Sequence, residues 1–449
     1  MSSRHLPASS GAVCTPVFAI RIAAALLAWI VVGANASAAE APLTLSGAQT
    51  HALERSRQLA AQDFAAAASR DMAVAAGQLP DPVLQAGIES LPVTGSDRFS
   101  LSRDFMTMRK IGVMREITRG DKRRFRRESF EREADVSVAE KAAAVAEIQR
   151  DTALAWFDLY YASAMAAVIA EHAAQADLEI QAAQGAYRAN QGNQADVYMT
   201  RSARAAIENR TSDITRRMLN AKTLLARWVG DAASRPLAPK PPTDSLRIDP
   251  AVLEEHLLHH PEIVVLGKRV DVAQAEANLA QANRKSDWTV SATYSQRGSE
   301  YSNMASIGVS IPLQWDRKNR QDRELSARLA LVEQARAARD ETLRAHVAEV
   351  QLMINAWQTN RTRHARYEKE LIPLANDRIS AALSAYRGGK ATLNEVLAAR
   401  RDAIDVRLEA LDLKDETDQL WTRINFLFPD DTLAGAAPAG GNINPDAPK

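Results

Sequence analysis

Apolar and small polar residues alternate over two short stretches late in the chain. Trp288, Val290, Ala292 and Tyr294 fall on one side of an extended segment, with Thr289, Ser291, Thr293 and Ser295 on the other. Ile307, Val309, Ile311 and Leu313 likewise oppose Ser306, Gly308 and Ser310. A period of two predicts strands at 288–296 and 306–314, and 83–88 and 99–117 read as an earlier strand pair. An apolar face backed by small polar residues suits a membrane barrel wall, and equally a half-buried strand in a soluble sheet.

Elsewhere the pattern is helical. Helices are predicted over 46–78, opened by Ser46 and stopped by Pro80 and Pro82, and over 119–188, 194–229, 250–284 and 319–387. The two long segments run for about 70 residues, which at 1.5 Å per residue is roughly 100 Å, too long for a compact domain. Val138, Val145, Thr152, Leu159 and Ala166 recur every seventh residue in the first, a coiled-coil spacing with small contact residues. Pro373 interrupts the second and predicts a kink or local unwinding.

The chain also repeats itself. Ala186-Tyr187-Arg188 matches Ala385-Tyr386-Arg387 at an offset of 199, and Ile111-Gly112-Val113 matches Ile307-Gly308-Val309 at 196. Trp156 and Trp357 are 201 apart. Small drifts of this kind mark a tandem duplication. The organisation predicted is a leader over 1–39, a first repeat over 40–231, a Pro-rich connector over 232–249, a second repeat over 250–429 and a disordered tail over 430–449. Each repeat ends in a tight turn between rods. Asn190 and Gly389 sit where a helix end needs a left-handed residue. Asn193 and Thr392 stand as caps for the next helix, with Asp196 and Glu395 three residues on to complete capping boxes. Turn chemistry alone accounts for those residues, and exposed tips offered to a partner account for them equally.

Charge and composition narrow the function. The sequence holds 56 Lys+Arg against 55 Asp+Glu, a balance that gives no reason to expect nucleic acid. Arg4, Arg21, the apolar run 22–32 and the small residues Ala34, Ala36 and Ala38 read as a secretory signal. Cleavage after it removes two Arg and no acid, taking the formal charge from +1 to −1. Cys14, the sole cysteine, precedes the apolar run, so neither a disulfide nor a lipid anchor is expected. Beyond the leader the best candidate for a membrane helix is 162–170, about half the length required. Met106, Met108 and Met114 cluster around a strand, where thioethers suit soft cations such as Cu(I) but more often only pack. His256 and His260 have the i, i+4 spacing of a zinc pair, with His259 alongside; Pro261 follows at once, and helix-end histidines explain them. No nucleophile elbow, phosphate loop or metalloprotease motif is present, so no enzymatic activity and no cofactor are expected.

With leader, tandem units, strand pairs and paired rods in view, the chain resembles the TolC-type outer-membrane efflux proteins. The tips are similar to that family's Tyr-x-x-Gly-x-x-Ser-x-x-Asp-Val-Leu pattern: Tyr386, Gly389, Thr392, Glu395, Val396 and Leu397 in the second copy, Tyr187, Asp196 and Val197 in the first, with Asn190 for Gly, Asn193 for Ser and Tyr198 for Leu. The resemblance implies a mainly α protein with a membrane β-barrel portion. Its long helical hairpins form a periplasmic α-barrel, and its four strands per chain enter a trimeric twelve-stranded barrel in the outer membrane of a Gram-negative cell. It implies a homotrimer that contacts outer-membrane lipid and passively conducts substrates received from a periplasmic adaptor and an inner-membrane pump, often of the resistance-nodulation-division class. The adaptor would meet the tips: Tyr187, Arg188, Asn190, Asn193, Asp196 and Val197 in one hairpin, and Tyr386, Arg387, Gly389, Thr392, Glu395 and Val396 in the other. Four strands are too few to close a membrane barrel alone, an independent reason for three copies. The segment around Met106, Met108 and Met114 resembles members attached to heavy-metal or copper efflux. A drug or organic-compound duct of the same family, a periplasmic adaptor and a coiled-coil scaffold are the alternatives.

Overall fold

The computed structural model describes residues 41–430; the leader and the tail beyond 430 lie outside them. The helices are α1 (Leu45–Arg55), α2 (Arg57–Ala76), α3 (Gly120–Arg188), α4 (Gln194–Val229), α5 (Leu253–Leu257), α6 (Pro261–Asn283), α7 (Gln321–Arg366), α8 (Ile372–Arg387) and α9 (Leu393–Asn425). The strands are β1 (Val83–Glu89), β2 (Met108–Ile117), β3 (Trp288–Gln296) and β4 (Met304–Ser310). They form one antiparallel meander in the order β1-β2-β3-β4.

Two helix boundaries differ from the sequence reading for local reasons. The 46–78 helix is two: Thr44, not Ser46, caps α1 by accepting from the Gly47 N–H, and Ser56 is extended and caps α2 by accepting from the Leu59 N–H. The 250–284 helix is also broken. A 3₁₀ turn at Pro250–Val252 leads into α5, and α6 restarts at Pro261, whose ring cannot continue a preceding helix.

The strand expected from 99 starts at Met108. Asp104 Oδ1 accepts from the N–H groups of Met106 and Thr107, and Ser100 Oγ accepts from that of Arg103. These bonds hold 99–107 in turns that compete with a ladder. β4 stops at Ser310, since Pro312 has no N–H to donate. Before Pro373 the helix opens into a π turn at Tyr367–Leu371, the local unwinding expected of a proline in a rod.

α3 is the mast of the fold. Its 69 residues span about 100 Å, and α1, α2, α4, α6 and α9 pack against it. The heptad series is only partly buried: Thr152 and Leu159 are inside, while Val138 is half exposed. Contact is taken over by Ala134, Ala144, Ala155 and Ala162. A straight helix drifts roughly 20° per heptad against a seven-residue repeat, so no single stripe stays facing its neighbours along such a length. The apolar part of α3 is also longer than the 162–170 segment suggested. An 18-residue window reaches mean hydropathy 1.4, enough by composition for a membrane span, and half of it is buried inside the chain. Trp156, Phe157, Tyr161, Met165 and Ile169 supply that burial, the signature of a core helix.

The core is a girdle about midway along the rods. Trp156, Phe157, Leu45, Leu225, Val229 and Phe426 make one cluster. Ile248, Leu253, Leu257, Val350, Ile354 and Trp357 make a second, with Ile424. Backbone straps close it. Leu43 pairs in parallel with Leu237, and Trp156 Nε1 donates to the Leu43 carbonyl at 3.1 Å. The connector crosses the end of α9, with Trp421 Nε1 donating to the Ser245 carbonyl at 2.8 Å and the Arg247 N–H to Asn425 Oδ1 at 2.7 Å. Trp156 is 36 residues from Gly120 and 32 from Arg188, so sheet and tips lie roughly 50 Å on either side of it.

Candidate functional site: the sheet, the tips and the seam between the repeats

The sheet joins the two repeats through β2 and β3. In this register Ile111 pairs with Tyr294, Val113 with Ala292 and Ile117 with Trp288, while Val290 pairs with Val309 and Ala292 with Ile307. Directly paired residues share a face, so one side is a largely apolar surface, interrupted by Arg115 opposite Val290 and by Arg109 opposite Ile88. Leu84, Ile111, Trp288, Ile307 and Val309 are all exposed on it, Ile307 by 85%. The other side carries Thr289, Ser291 and Thr293 from β3 with Ser306, Gly308 and Ser310 from β4. At the seam Gly112 is required: a Cβ there would lie 2.8 Å from Thr293 Oγ1 and 2.9 Å from the Ala292 carbonyl oxygen. Met108 and Met114 pair with Glu89 and Val83 on the small polar side. Six residues of strand separate them, roughly 20 Å, and exposed Met106 lies in the preceding turn. The three methionines therefore do not form one ligand set.

At the opposite end, α3–α4 and α8–α9 are tight helical hairpins. Asn190 and Gly389 both have positive φ, 59° and 70°. In the first hairpin the Gln191 N–H reaches the Ala186 carbonyl at 2.9 Å and the Asn190 N–H that of Tyr187 at 3.1 Å. In the second, Lys390 bonds Ala385 at 2.8 Å and Gly389 bonds Tyr386 at 3.0 Å. Both ends are Schellman motifs, so the duplication extends to the backbone hydrogen bonds. The Asn193–Asp196 capping box is complete. The second differs: Thr392 accepts from the Glu395 N–H at 3.4 Å, but the Glu395 carboxylate takes the Thr392 hydroxyl at 3.2 Å rather than its backbone N–H. Tyr187, Arg188, Asn190, Asn193, Tyr386, Arg387, Gly389, Thr392 and Glu395 are exposed, and Asp196 is partly so. Val197 and Val396 are buried; they anchor each turn and present nothing outward.

Sequence reasoning missed the seam behind the tips. α9 lies against α3 and reaches α4 through ion pairs. Arg210 meets Asp405, and Arg217 meets Asp412 at 2.6 Å and Asp415 at 2.7 Å. Arg400 meets Glu179 at 2.7 Å and Arg407 meets Glu171 at 3.5 Å. The seven-residue spacing of Arg210 and Arg217 matches that of Asp405 and Asp412, a signal readable only once α4 and α9 are known to be neighbours. A cavity of about 300 Å³ opens in this seam, lined by His172, Glu179, Met199, Arg210, Asn394 and Arg400. Burial pushes the Glu179 carboxyl up, and Arg400 pulls it partly back.

Where α9 reaches the girdle the seam becomes a buried polar network. Asp418 accepts from Tyr161 Oη at 2.5 Å and Thr243 Oγ1 at 2.7 Å, and from Lys240 and Lys414 Nζ at 2.9 and 3.0 Å. Burial works to raise its carboxyl, but these hydrogen bonds prevail and hold it below the usual carboxylate range. One turn away Asp415 goes the other way: burial first, then Asp158, pushes it up to about 7.

His256 and His260 lie at helix ends, as expected, and do not share a helix. α5 ends at Leu257 and His260 is the N-cap of α6, so the i, i+4 geometry between His256 and His260 is lost. His260 instead faces His346 of α7, with ring centroids 4.8 Å apart.

A four-stranded sheet with one largely apolar exposed face, set at one end of rods about 100 Å long that finish in duplicated hairpins, is an architecture shared with outer-membrane channels of known structure. Solved structures agree. The chain superposes on CusC with a TM-score of 0.74 (15% identity, 87% of this chain and 93% of that one), and on VceC from Vibrio cholerae with a TM-score of 0.68 (20% identity, 85% and 95%). Residues 252–428 match the family described as outer membrane efflux protein. A curated relative, the cobalt-zinc-cadmium resistance protein CzcC of Cupriavidus metallidurans, is 24% identical over 317 residues, covering 70% of this chain and 75% of that protein. The second half of the chain thus matches the outer membrane efflux protein family, and the described residues share the fold of solved outer-membrane channels.

Proposed function

We propose that three copies of this chain close into one duct that carries divalent heavy-metal cations across the outer membrane, handed over at the hairpin tips by a periplasmic adaptor and an inner-membrane pump of the resistance-nodulation-division class. The observation that carries the duct is the sheet. β1 and β4 each pair on one side only among the described strands, and the apolar face has no partner within the chain. Twelve strands from three copies remove both free edges and set that face against lipid, which a membrane barrel requires. The opposite face then lines the lumen, where the Ser, Thr and Gly residues of β3 and β4 leave room for hydrated ions and Glu89, Lys110 and Glu116 of β1 and β2 add charge. The leader read at 1–39 fits that destination. The rods extend the lumen into the periplasm, and the exposed tip residues Tyr187, Arg188, Tyr386 and Arg387 are the surface offered to the adaptor. The metal cargo is supported by the likeness to a cobalt-zinc-cadmium resistance protein.

Fractionation and a tolerance assay test this reading. The protein should partition with outer membranes, run as a heat-sensitive oligomer, and crosslink between copies through cysteines placed along β1 and β4. Deletion should lower tolerance to zinc, cobalt or cadmium. A water-soluble monomer would sink the duct; unchanged metal tolerance with lowered drug tolerance would sink the cargo and leave the duct standing.

A further inference from the structure

We infer that His260, Glu262 and His346 form a divalent-cation site in the girdle, separate from the lumen-facing strands and from the tips. The three come from two elements: His260 caps α6, Glu262 is its second residue, and His346 projects from α7. Their donor atoms all lie within 4.8 Å of one another, and His346 Nε2 is already 3.0 Å from Glu262 Oε2. Donors around a tetrahedral ion at about 2.0–2.1 Å stand roughly 3.4 Å apart. The set therefore contracts by no more than about 1.4 Å on binding, and Glu262, with a side chain 55% exposed, is free to swing.

A second observation points to a ligand. His260 Nδ1 is buried with no hydrogen-bond partner, a state that costs free energy unless something occupies it. The ring is held in place: His346 lies against it, and Phe428 meets it edge-on at 5.9 Å. The set opens on a cavity of about 870 Å³ whose walls carry five carboxylates and three arginines, a net charge of −2 before the histidines. Two of those arginines are occupied, Arg150 by Asp151 at 2.8 Å and Arg269 by Glu140 at 2.9 Å. Field and room both favour a cation.

Two imidazoles with one carboxylate suit zinc and the other borderline divalent cations, Fe(II), cobalt, nickel and Cu(II). Calcium and magnesium want an all-oxygen shell, and Cu(I) wants sulfur. Three protein ligands leave an open position for water. A bound ion would brace the start of α6 to the middle of α7, next to the last turn of α9, and so stiffen the second repeat in proportion to ion concentration. This site is resident and does not rest on the cargo assigned above.

The test is direct metal binding to the purified full chain in detergent, stripped with chelator. Zinc is titrated calorimetrically, and cobalt is followed by its ligand-field absorption. One ion per chain is expected, with affinity falling about tenfold or more in Glu262→Gln and further in His346→Gln. His256→Gln and His259→Gln should match the wild type. Both informative substitutions are at partly exposed positions, and far-UV circular dichroism with the oligomer's heat sensitivity checks that each variant is folded. No binding by the wild type, or binding that His346→Gln leaves unchanged, overturns the site. Neither result touches the tolerance assay for the cargo.

Discussion

Asp418→Ala should be among the most damaging single changes outside the sheet. Asp418 is fully buried on α9, and its carboxylate holds three segments together: α3 through Tyr161, the connector through Lys240 and Thr243, and its own helix through Lys414. Alanine leaves a buried phenol and a buried hydroxyl without their acceptor, and two partly buried ammonium groups without a counter-charge. Removing one partner from a buried charged network costs about 3–5 kcal/mol. Asp418→Asn should recover little, because its amide N–H groups would point at donors. Tyr161→Phe removes one donor of four and should cost only about 1.5–3 kcal/mol. The pair should be non-additive in a double-mutant cycle. The assay is guanidinium-induced loss of helical circular dichroism, compared at matched slope. The hydrogen bonds depress the Asp418 carboxyl in the folded protein, so its contribution is complete above the ordinary carboxylate range. It fades as pH falls through the lower folded value. The gap between wild type and Asp418→Asn should accordingly close in acid. A loss under about 1 kcal/mol for Asp418→Ala at neutral pH, or a gap that widens in acid, would refute the account.

Asp415 makes the opposite prediction. Its carboxyl is raised to about 7, first by burial and then by Asp158, so the folded state holds a proton that the unfolded state releases. Stability should therefore fall as pH rises from the usual carboxylate range to about 7, and Asp415→Asn should flatten that slope in denaturation at several pH values. At the second tip, Gly389→Pro removes the N–H that bonds Tyr386 at 3.0 Å and cannot adopt a φ of 70°. It should cost about 3 kcal/mol locally and lower both adaptor crosslinking and export; unchanged values would count against docking there. On the sheet, if three copies form the proposed membrane barrel, Ile307→Arg should destabilise it by about 2–4 kcal/mol, while Ser306→Arg on the other face should be tolerated. Equal effects in heat-dissociation gels would reverse the assignment of faces.

Much of this protein was readable from residue order, because the interactions that decide it are local. The period of two in 288–296 specified β3, unbroken helix formers specified α3 and α4, and Asn190 and Gly389 marked the left-handed turns before any neighbour was known. Local bonds also explain the misses. The side chains of Ser100 and Asp104 diverted 99–107 from a strand, and Ser56 and Pro261 divided helices that composition had run together. What only the tertiary structure decided depends on residues far apart in sequence. The charge seam joins Arg210 and Arg217 to Asp405 and Asp412, Asp418 gathers Tyr161 and Lys240, and His260 finds His346 rather than His256. A periodic pattern states which face of a helix is buried but not against which helix. A charged side chain looks alike in the sequence whether it meets water or a partner some 200 residues away. Only the packing of α9 against α3 and α4 supplies that partner, and there burial pushes the Asp415 carboxyl up while hydrogen bonds one turn away hold that of Asp418 down.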